Sequence, residues 1–389
     1  MFANAGFTVR GIDRDQAKIE GINSGKLQID EPGLKEQFFR AYEHGSFKAG
    51  TQAREAEVHI VAVPTPIDDE KQLDFSFISS AVESIAPVLR PDDLVILEST
   101  VPPGTTARVE NLVYKLRPDL VVAKPVQFAH CPERVLPGAI VREFETNPRV
   151  VGGLTPLATA RAADYYRCVT SGQVFETSAE TAELAKLAEN AYRDVNIAFA
   201  NELSAIADSF SVDIWELIQL ANEHPRVDIL RPGIGVGGHC IAVDPWFIVS
   251  VDPKNAPLIA TARAVNDLQP TRTVQKMVEV IQEYNPQKVY LFGLSFKPNV
   301  GDIRESPAVS VSTKVAERFP EIEFVLVDPH VGDLSGELTM STNCVKASSM
   351  PTIDEKDCVF CLVAHDAFRE QLSLVSSSPR FIDLAGIFN

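Results

Sequence analysis

Two stretches of alternating apolar runs and helical segments, with a long breaker-free run at 178–210 between them, leave few folds open to this chain. At the N-terminal end, residues 7–13 read as a strand followed by a helix from about Asp15. Val58-His-Ile-Val-Ala-Val63 reads as a second strand, stopped by Pro64-Thr65-Pro66. Leu94-Val-Ile-Leu97 reads as a third, ending in Glu98-Ser99-Thr100. Helices are expected at 75–89 and 105–116. Such alternation argues for a parallel, doubly wound sheet, in which ligands bind beyond the carboxyl ends of the strands. The loops at 64–66 and 99–104 are therefore candidate ligand walls.

The C-terminal part restarts the pattern. Residues 288–294 read as a strand, a helix follows from Ser306-Pro307, and Phe324-Val-Leu-Val-Asp328 is a strand ending in an acid. The runs at 357–363 and 380–384 complete a second α/β unit. Between the two, 178–210 holds no breaker and predicts one long helix. A shorter helix is expected near 212–222, and another long one over 256–284, punctuated by Pro257 and Pro270. The expected fold is α/β: two Rossmann-like doubly wound domains joined by a central helical segment. The boundaries are 1–175 for the cofactor domain, 176–284 for the central helical, catalytic and dimerisation segment, and 285–389 for the C-terminal ligand domain.

Composition narrows the partners. A chain of 389 residues exceeds one ordinary core. A formal charge of -17 disfavours nucleic acid or an anionic membrane as partner, so any anionic ligand must be held by local Lys, Arg or helix N-termini. The longest apolar runs, 58–63 and 289–294, are far short of a membrane span, so no membrane insertion is expected. Six scattered cysteines fit reduced thiols and a cytoplasmic setting. Cys358 and Cys361 have C-x-x-C spacing inside an apolar run and read as buried thiols on opposite strand faces. No second pair is present to make a zinc site.

A dinucleotide-binding unit opens with a strand, a glycine-rich turn and a helix, then a second strand ending in Asp or Glu. This sequence starts at Met1-Phe-Ala-Asn-Ala-Gly-Phe7, which reads as the tail of that helix, with Asp13 where the ribose-binding acid belongs. The first strand and its glycine turn are thus expected upstream of Met1, in a longer chain; a degenerate domain is the other reading. A formal G-x-G-x-x-G does occur at Gly233, Gly235 and Gly238. Arg231-Pro232 before it and Asp244-Pro245 after it argue against the strand and helix which that fingerprint requires.

The run Gly233-Ile-Gly-Val-Gly-Gly-His-Cys240-Ile-Ala-Val-Asp244 has the composition of a reactive loop: glycines for close backbone approach, then a thiol with a carboxylate four residues on. On the long helix, Lys186, Asn190, Arg193, Ile197 and Asn201 share one face. That stripe is either solvated or functional. Thr100, Glu133 and Cys131 lie where strands give way to loops, and Cys131 before a proline reads as packed. His224-Pro-Arg226 offers donors for an anion. Lys297 and Arg304 beside a helix with Ser306 at the N-cap and Pro307 at N1 make a second anion site, or an ordinary charged loop. A thiolate, a lysine, a carboxylate and a nicotinamide fold together suit aldehyde oxidation through a thiohemiacetal and a thioester.

The motifs Val63-Pro-Thr-Pro66, Glu98-Ser-Thr-Val-Pro-Pro-Gly104, Cys131-Pro-Glu-Arg-Val-Leu-Pro-Gly138, 186–203, the Cys240 loop and Phe296-Lys-Pro to Arg304-Glu-Ser-Pro307 resemble the UDP-glucose/GDP-mannose dehydrogenase family. His224-Pro-Arg226 and Gly235 through Val249 look most like its branch acting on UDP-N-acetyl-D-mannosamine. The resemblance implies NAD as cofactor, a UDP-N-acetyl-hexosamine substrate, a four-electron oxidation of the sugar C6 alcohol to a carboxylate, and a homodimer. It implies Cys240 as nucleophile and Lys186 as the group handling the proton or oxyanion. Asp244 would assist, with Glu133 and Asn190 near the reacting carbon and water. Asp13, Thr65 and Thr100 would touch NAD. Arg134, Val135, Lys186, Asn190, Arg193, His224, Arg226 and Gly237 would line the sugar-nucleotide site, with Phe296, Lys297 and Arg304 from the C-terminal domain. Two rival readings stay open: a UDP-sugar-binding protein that has lost NAD binding, and a 6-dehydrogenase of UDP-N-acetylglucosamine or UDP-glucose.

Overall fold

Strands buried on both faces, such as Leu94–Leu97 and Cys358–Cys361, need cover on both sides. The computed structural model describes residues 1–389 apart from 28–30, 122–123, 137, 239, 333–342 and 348. It divides into two compact units, 1–189 with 246–251, and 190–245 with 252–389.

In the first unit, β1 (Val9–Ile12), α1 (Gln16–Asn23), α2 (Leu34–Glu43) and β2 (Phe47–Gly50) form a small layer in which β1 and β2 pair in parallel. Asp15 caps α1 by accepting the backbone N–H groups of Ala17 and Lys18. The main sheet has five strands in the order β3 (Val58–Val61), β4 (Leu94–Leu97), β5 (Gln127–His130), β6 (Arg149–Gly153) and β7 (Val174–Ser178). Along β4 the side chains alternate between faces. Val95 and Leu97 join the core under α3 (Ser76–Ile85) and α4 (Thr105–Leu116), whereas Leu94 and Ile96 pack with Ala162, Ala163 and Tyr166 of α6 (Pro156–Arg167). Each such side chain taken fully out of water contributes about 1.5–3 kcal/mol. Between β5 and β6 lies the short helix α5 (Ile140–Thr146).

The sheet corrects the expectation of uniform parallel pairing, because β5 and β6 run antiparallel. A parallel return needs a full crossover across the sheet, and the short α5 does not make one. The other pairs are parallel.

From β7 the chain enters α7 (Ala179–Ser209), a continuous helix of 31 residues as the breaker-free sequence predicts. The unit boundary falls inside it, between Glu189 and Asn190. The second unit continues with α8 (Ile214–Asn222), capped by Asp213, and then a loop to the start of α9 (Asp244–Val251), of which residues 246–251 belong to the first unit. α10 (Pro257–Tyr284) follows, with Pro257 at its first turn. Pro270, expected to punctuate this helix, lies within it. A proline removes only one helical hydrogen bond, and tertiary burial along the helix (Val274, Met277, Val278, Ile281) carries it through.

The second sheet has the order β10 (Cys344–Lys346), β9 (Glu323–Val327), β8 (Lys288–Phe292), β11 (Cys358–Cys361) and β12 (Phe381–Asp383), with parallel pairing throughout. Val289 and Leu291 face α10 and α11 (Pro307–Arg318), while Tyr290 and Phe292 pack towards Leu372 of α12 (Arg369–Ser373). Cys358 belongs to the first of these cores and Cys361 to the second, so the C-x-x-C thiols do lie on opposite faces.

Candidate functional site

In the first unit the candidate residues follow strands at their carboxyl ends. Asp13 lies one residue beyond β1, Thr65 in the loop after β3, Thr100 after β4, and Glu133 after β5. The Asp13 carboxylate accepts the backbone N–H of Asp15 at 2.9 Å and the ammonium of Lys18 at 3.1 Å, and these hold its pKa below the usual carboxylate range. Cys131 is completely buried, and burial pushes its thiol up to about 12. It is an inert packing residue, as its position before a proline suggests. Glu133 pairs with Arg149 at 3.4 Å. Arg134 is committed to Glu189 on α7 and to the carbonyl of Pro148, and Val135 beside it is half-buried.

Lys186 is half-buried on α7, with no hydrogen-bond or ion-pair partner among the described residues. One turn earlier is a residue that the sequence reading missed. Glu183, 1% exposed, accepts the backbone N–H groups of Gly104 and Thr106 and the hydroxyl of Thr106 at 2.6–2.7 Å. It therefore caps α4, whose own N-cap is Gly104 and whose first turn holds no acid. Burial raises the Glu183 carboxyl above its ordinary value, against the pull of these donors. The signal was available: an acid among Ala and Leu on an otherwise buried helix face.

In the second unit, α7 grips both ends of the glycine loop. Asn190 donates from Nδ2 to Asp244 Oδ2 at 2.5 Å, and Asn201 Oδ1 accepts the N–H of Gly233 at 2.9 Å. The polar stripe is thus neither solvated throughout nor wholly for ligand: Asn201 is buried and Arg193 is exposed. Behind it lies a buried chain that the sequence reading also missed. Asn201 donates to Asn266 at 2.9 Å, Asn266 donates to Asp194 Oδ1 at 2.8 Å, and Arg263 pairs with Asp194.

Cys240 is exposed, and its carbonyl accepts the N–H groups of Val243 and Asp244, closing a turn that leads into α9. This corrects one premise: Pro245 does not preclude a helix but occupies its first turn, where a missing N–H costs nothing. No strand precedes Gly233, so the formal dinucleotide match still fails. The glycines also have a nearer use than ligand approach. A Cβ on Gly237 would stand 2.6 Å from Pro307 Cδ and 2.7 Å from the Glu305 carbonyl oxygen, so this position admits only glycine against the 296–307 loop.

That loop carries the remaining candidates. Phe296 and Lys297 are half-buried, whereas Arg304 is exposed and forked onto Asp302 at 2.6–3.2 Å. Ser306 caps α11 with Pro307 behind it, as read from the sequence. His224 and Arg226 are both exposed, with the His224 Nδ1 accepting the Arg226 N–H at 3.3 Å.

With this geometry in place, comparison with known proteins decides the family. The UDP-glucose/GDP-mannose dehydrogenase family models match in three successive parts: the NAD binding domain over 1–170, the central domain over 180–268 and the UDP binding domain over 290–389. The chain belongs to that family. It is 43% identical over 388 residues to the NDP-N-acetyl-D-galactosaminuronic acid dehydrogenase of Ralstonia nicotianae, covering 98% of this chain and 90% of the relative. It is 43% identical over 377 residues to the UDP-N-acetyl-D-mannosamine dehydrogenase of Campylobacter jejuni, covering 95% and 92%. The solved structure of a UDP-N-acetyl-mannosamine dehydrogenase from Staphylococcus aureus matches with a TM-score of 0.84 at 36% identity, covering 100% of this chain and 91% of that one. As a family member the chain is an NAD-dependent UDP-sugar dehydrogenase.

The residues present fit NAD. Asp13 keeps an ionised carboxylate, 38% exposed, at the end of a parallel strand, where ribose hydroxyls are held in such folds. No helix among the described residues is long and apolar enough to cross a membrane.

Proposed function

We propose that this chain oxidises C6 of UDP-N-acetyl-D-mannosamine to the carboxylate by two successive two-electron steps, through a covalent bond to Cys240. The observation that carries this reading is an exposed thiol in a turn whose following carboxylate, Asp244, is buried and held by Asn190 at 2.5 Å. Bound NAD supplies the chemistry of accepting a hydride, once for each oxidation. The alcohol first loses a hydride and a proton, giving the aldehyde. The Cys240 thiolate then adds to the aldehyde carbon, and Lys186, half-buried, holds the developing oxyanion with its ammonium. Loss of a second hydride leaves a thioester, and water aligned by Glu133 and Asn190 releases the carboxylate and the thiol.

Relatives named for UDP-N-acetyl-D-mannosamine support this substrate. A second reading, a galacto-configured UDP-N-acetylhexosamine, is supported by the Ralstonia relative that matches 98% of this chain. Anion recognition by Lys297, Arg304, Arg226 and His224 serves either sugar. We further infer a homodimer, in which Tyr192, Phe199 and Ile206, exposed at seven-residue spacing along α7, are covered by a second copy. Turnover of the mannosamine, galactosamine and glucosamine UDP-sugars side by side tests the substrate. The expected result is fastest turnover of the manno epimer with two NADH formed per sugar, and loss of carboxylate formation in Cys240→Ser. A single NADH per sugar, or a Cys240→Ser enzyme that still makes the acid, refutes the mechanism.

A further inference from the structure

We infer that His365 is a positioning residue for the loop carrying Phe296, Lys297 and Arg304, and that it acts as a neutral imidazole with its two nitrogens in fixed, opposite roles. The inference rests on reading that loop as part of the UDP-sugar site. His365 is completely buried. Its Nδ1 accepts the backbone N–H of Asn299 at 2.8 Å, so that nitrogen presents a lone pair. Nε2 must then carry the proton, and it faces Asp328 Oδ2 at 3.1 Å and Ser295 Oγ at 3.2 Å. Ser295 in turn donates its hydroxyl to the Lys297 carbonyl at 2.8 Å. One ring therefore ties the end of β9 to both limbs of the 295–302 loop.

Other contacts fix the same arrangement. Asp328 cannot swing away, because its carboxylate accepts the N–H groups of Leu294, Ser295, His330 and Val331. The ring packs on His330 and Phe368 with centroids 4.9 and 5.0 Å away. Asn299, at φ 61, also donates to the Asp366 carboxylate at 2.8 Å. Gly301 passes so close to the His330 carbonyl that a Cβ would stand 2.3 Å from its oxygen. The anchored loop closes on itself through the Phe296 N–H and the Asp302 carbonyl at 3.0 Å. The Lys297 ammonium is thereby presented by a backbone whose fixed point is His365.

Two substitutions separate the two bonds. Glutamine places its amide nitrogen near the Nε2 position and keeps the Asp328 bond, whereas asparagine places its oxygen near Nδ1 and keeps the Asn299 bond. Calorimetric titration of UDP into the full-length protein is expected to show His365→Gln weakened about five- to tenfold, the equivalent of one lost hydrogen bond. His365→Asn should stay within about twofold of the wild type, and NAD affinity should be unchanged in both. A purely structural histidine would weaken UDP in step with each variant's loss of thermal stability, and that parallel, or unchanged affinity in His365→Gln, overturns the inference. A wild-type protein that fails to bind UDP overturns the substrate reading instead, and this inference with it. If the variants do not fold, amide exchange on the wild type decides: the Asn299 N–H should exchange slowly, and more slowly with UDP. Unprotected exchange of that amide in the UDP complex refutes the anchor.

Discussion

Replacing Arg263 with methionine isolates a deeply buried charge pair in the second unit. Arg263 is 1% exposed and its partner Asp194 is 0% exposed. Methionine fills much of the same volume, so packing is largely kept and the missing guanidinium is the main change. Stranding one member of a buried pair costs about 3–5 kcal/mol. The lower end is expected here, because Asn266 still donates to Asp194 Oδ1 at 2.8 Å. For a folding unit of this size each kcal/mol lowers the midpoint by about 2–4 °C, which gives a fall of about 6–12 °C in thermal unfolding. The pH dependence follows from the direction of the Asp194 shift. Burial already raises its carboxyl above the ordinary value, against Arg263 and Asn266, and removing Arg263 raises it further. Above about pH 3.9 the unfolded chain has lost this proton while the folded variant keeps it, so the variant loses stability as pH rises. The deficit relative to wild type should therefore be larger near pH 7.5 than near pH 4.5, and Asp194→Asn in the same background should recover most of it. A deficit equal at both pH values, or no recovery in the double variant, refutes the buried-charge reasoning.

Glu183→Ala removes three hydrogen bonds from the start of α4 and leaves the buried Thr106 N–H without an acceptor. It should lower the first unit's melting temperature and weaken NAD more than UDP in separate titrations, because Thr100 sits in the loop it anchors. Gly237→Ala forces a methyl group against the Glu305 carbonyl, a backbone atom that cannot rotate away. The expected cost is about 1–3 kcal/mol of overpacking, seen as reduced UDP affinity and turnover with the NAD affinity of the first unit preserved.

What the sequence disclosed follows from how local each determinant is. The strands at 58–61 and 94–97, the helices at 179–209 and 257–284, and the Ser306-Pro307 cap rest on period, breakers and capping chemistry within a few residues. The reversal at β6 was hidden, since strand direction depends on a partner far along the chain and on the length of the intervening helix. At the site, Cys240, Asp244 and Asn190 could be named from their neighbours. Glu183, Asp194, Arg263 and His365 could not be given roles, because each acts on residues 65 or more positions away. A charge placed among Ala and Leu marks such residues only as misfits. Their partners become visible only in three dimensions. The Cys240 glycines show the same limit: their composition signalled close approach, and the fold supplies a protein loop as what approaches.

Asp328 has one more consequence. It stands at the end of the second strand of a Rossmann-like sheet, the place from which an acid ordinarily reaches a ribose diol. Here both carboxylate oxygens are consumed by four backbone N–H groups and an imidazole. The hydrogen bond from His365, followed by those from the Leu294 and His330 N–H groups, holds its pKa down at about 2 despite burial, so it stays ionised yet has nothing left to offer a sugar. Turning the acid inward leaves this strand end without a carboxylate oxygen free for a diol, in contrast to Asp13 at the end of β1, whose carboxylate is 38% exposed.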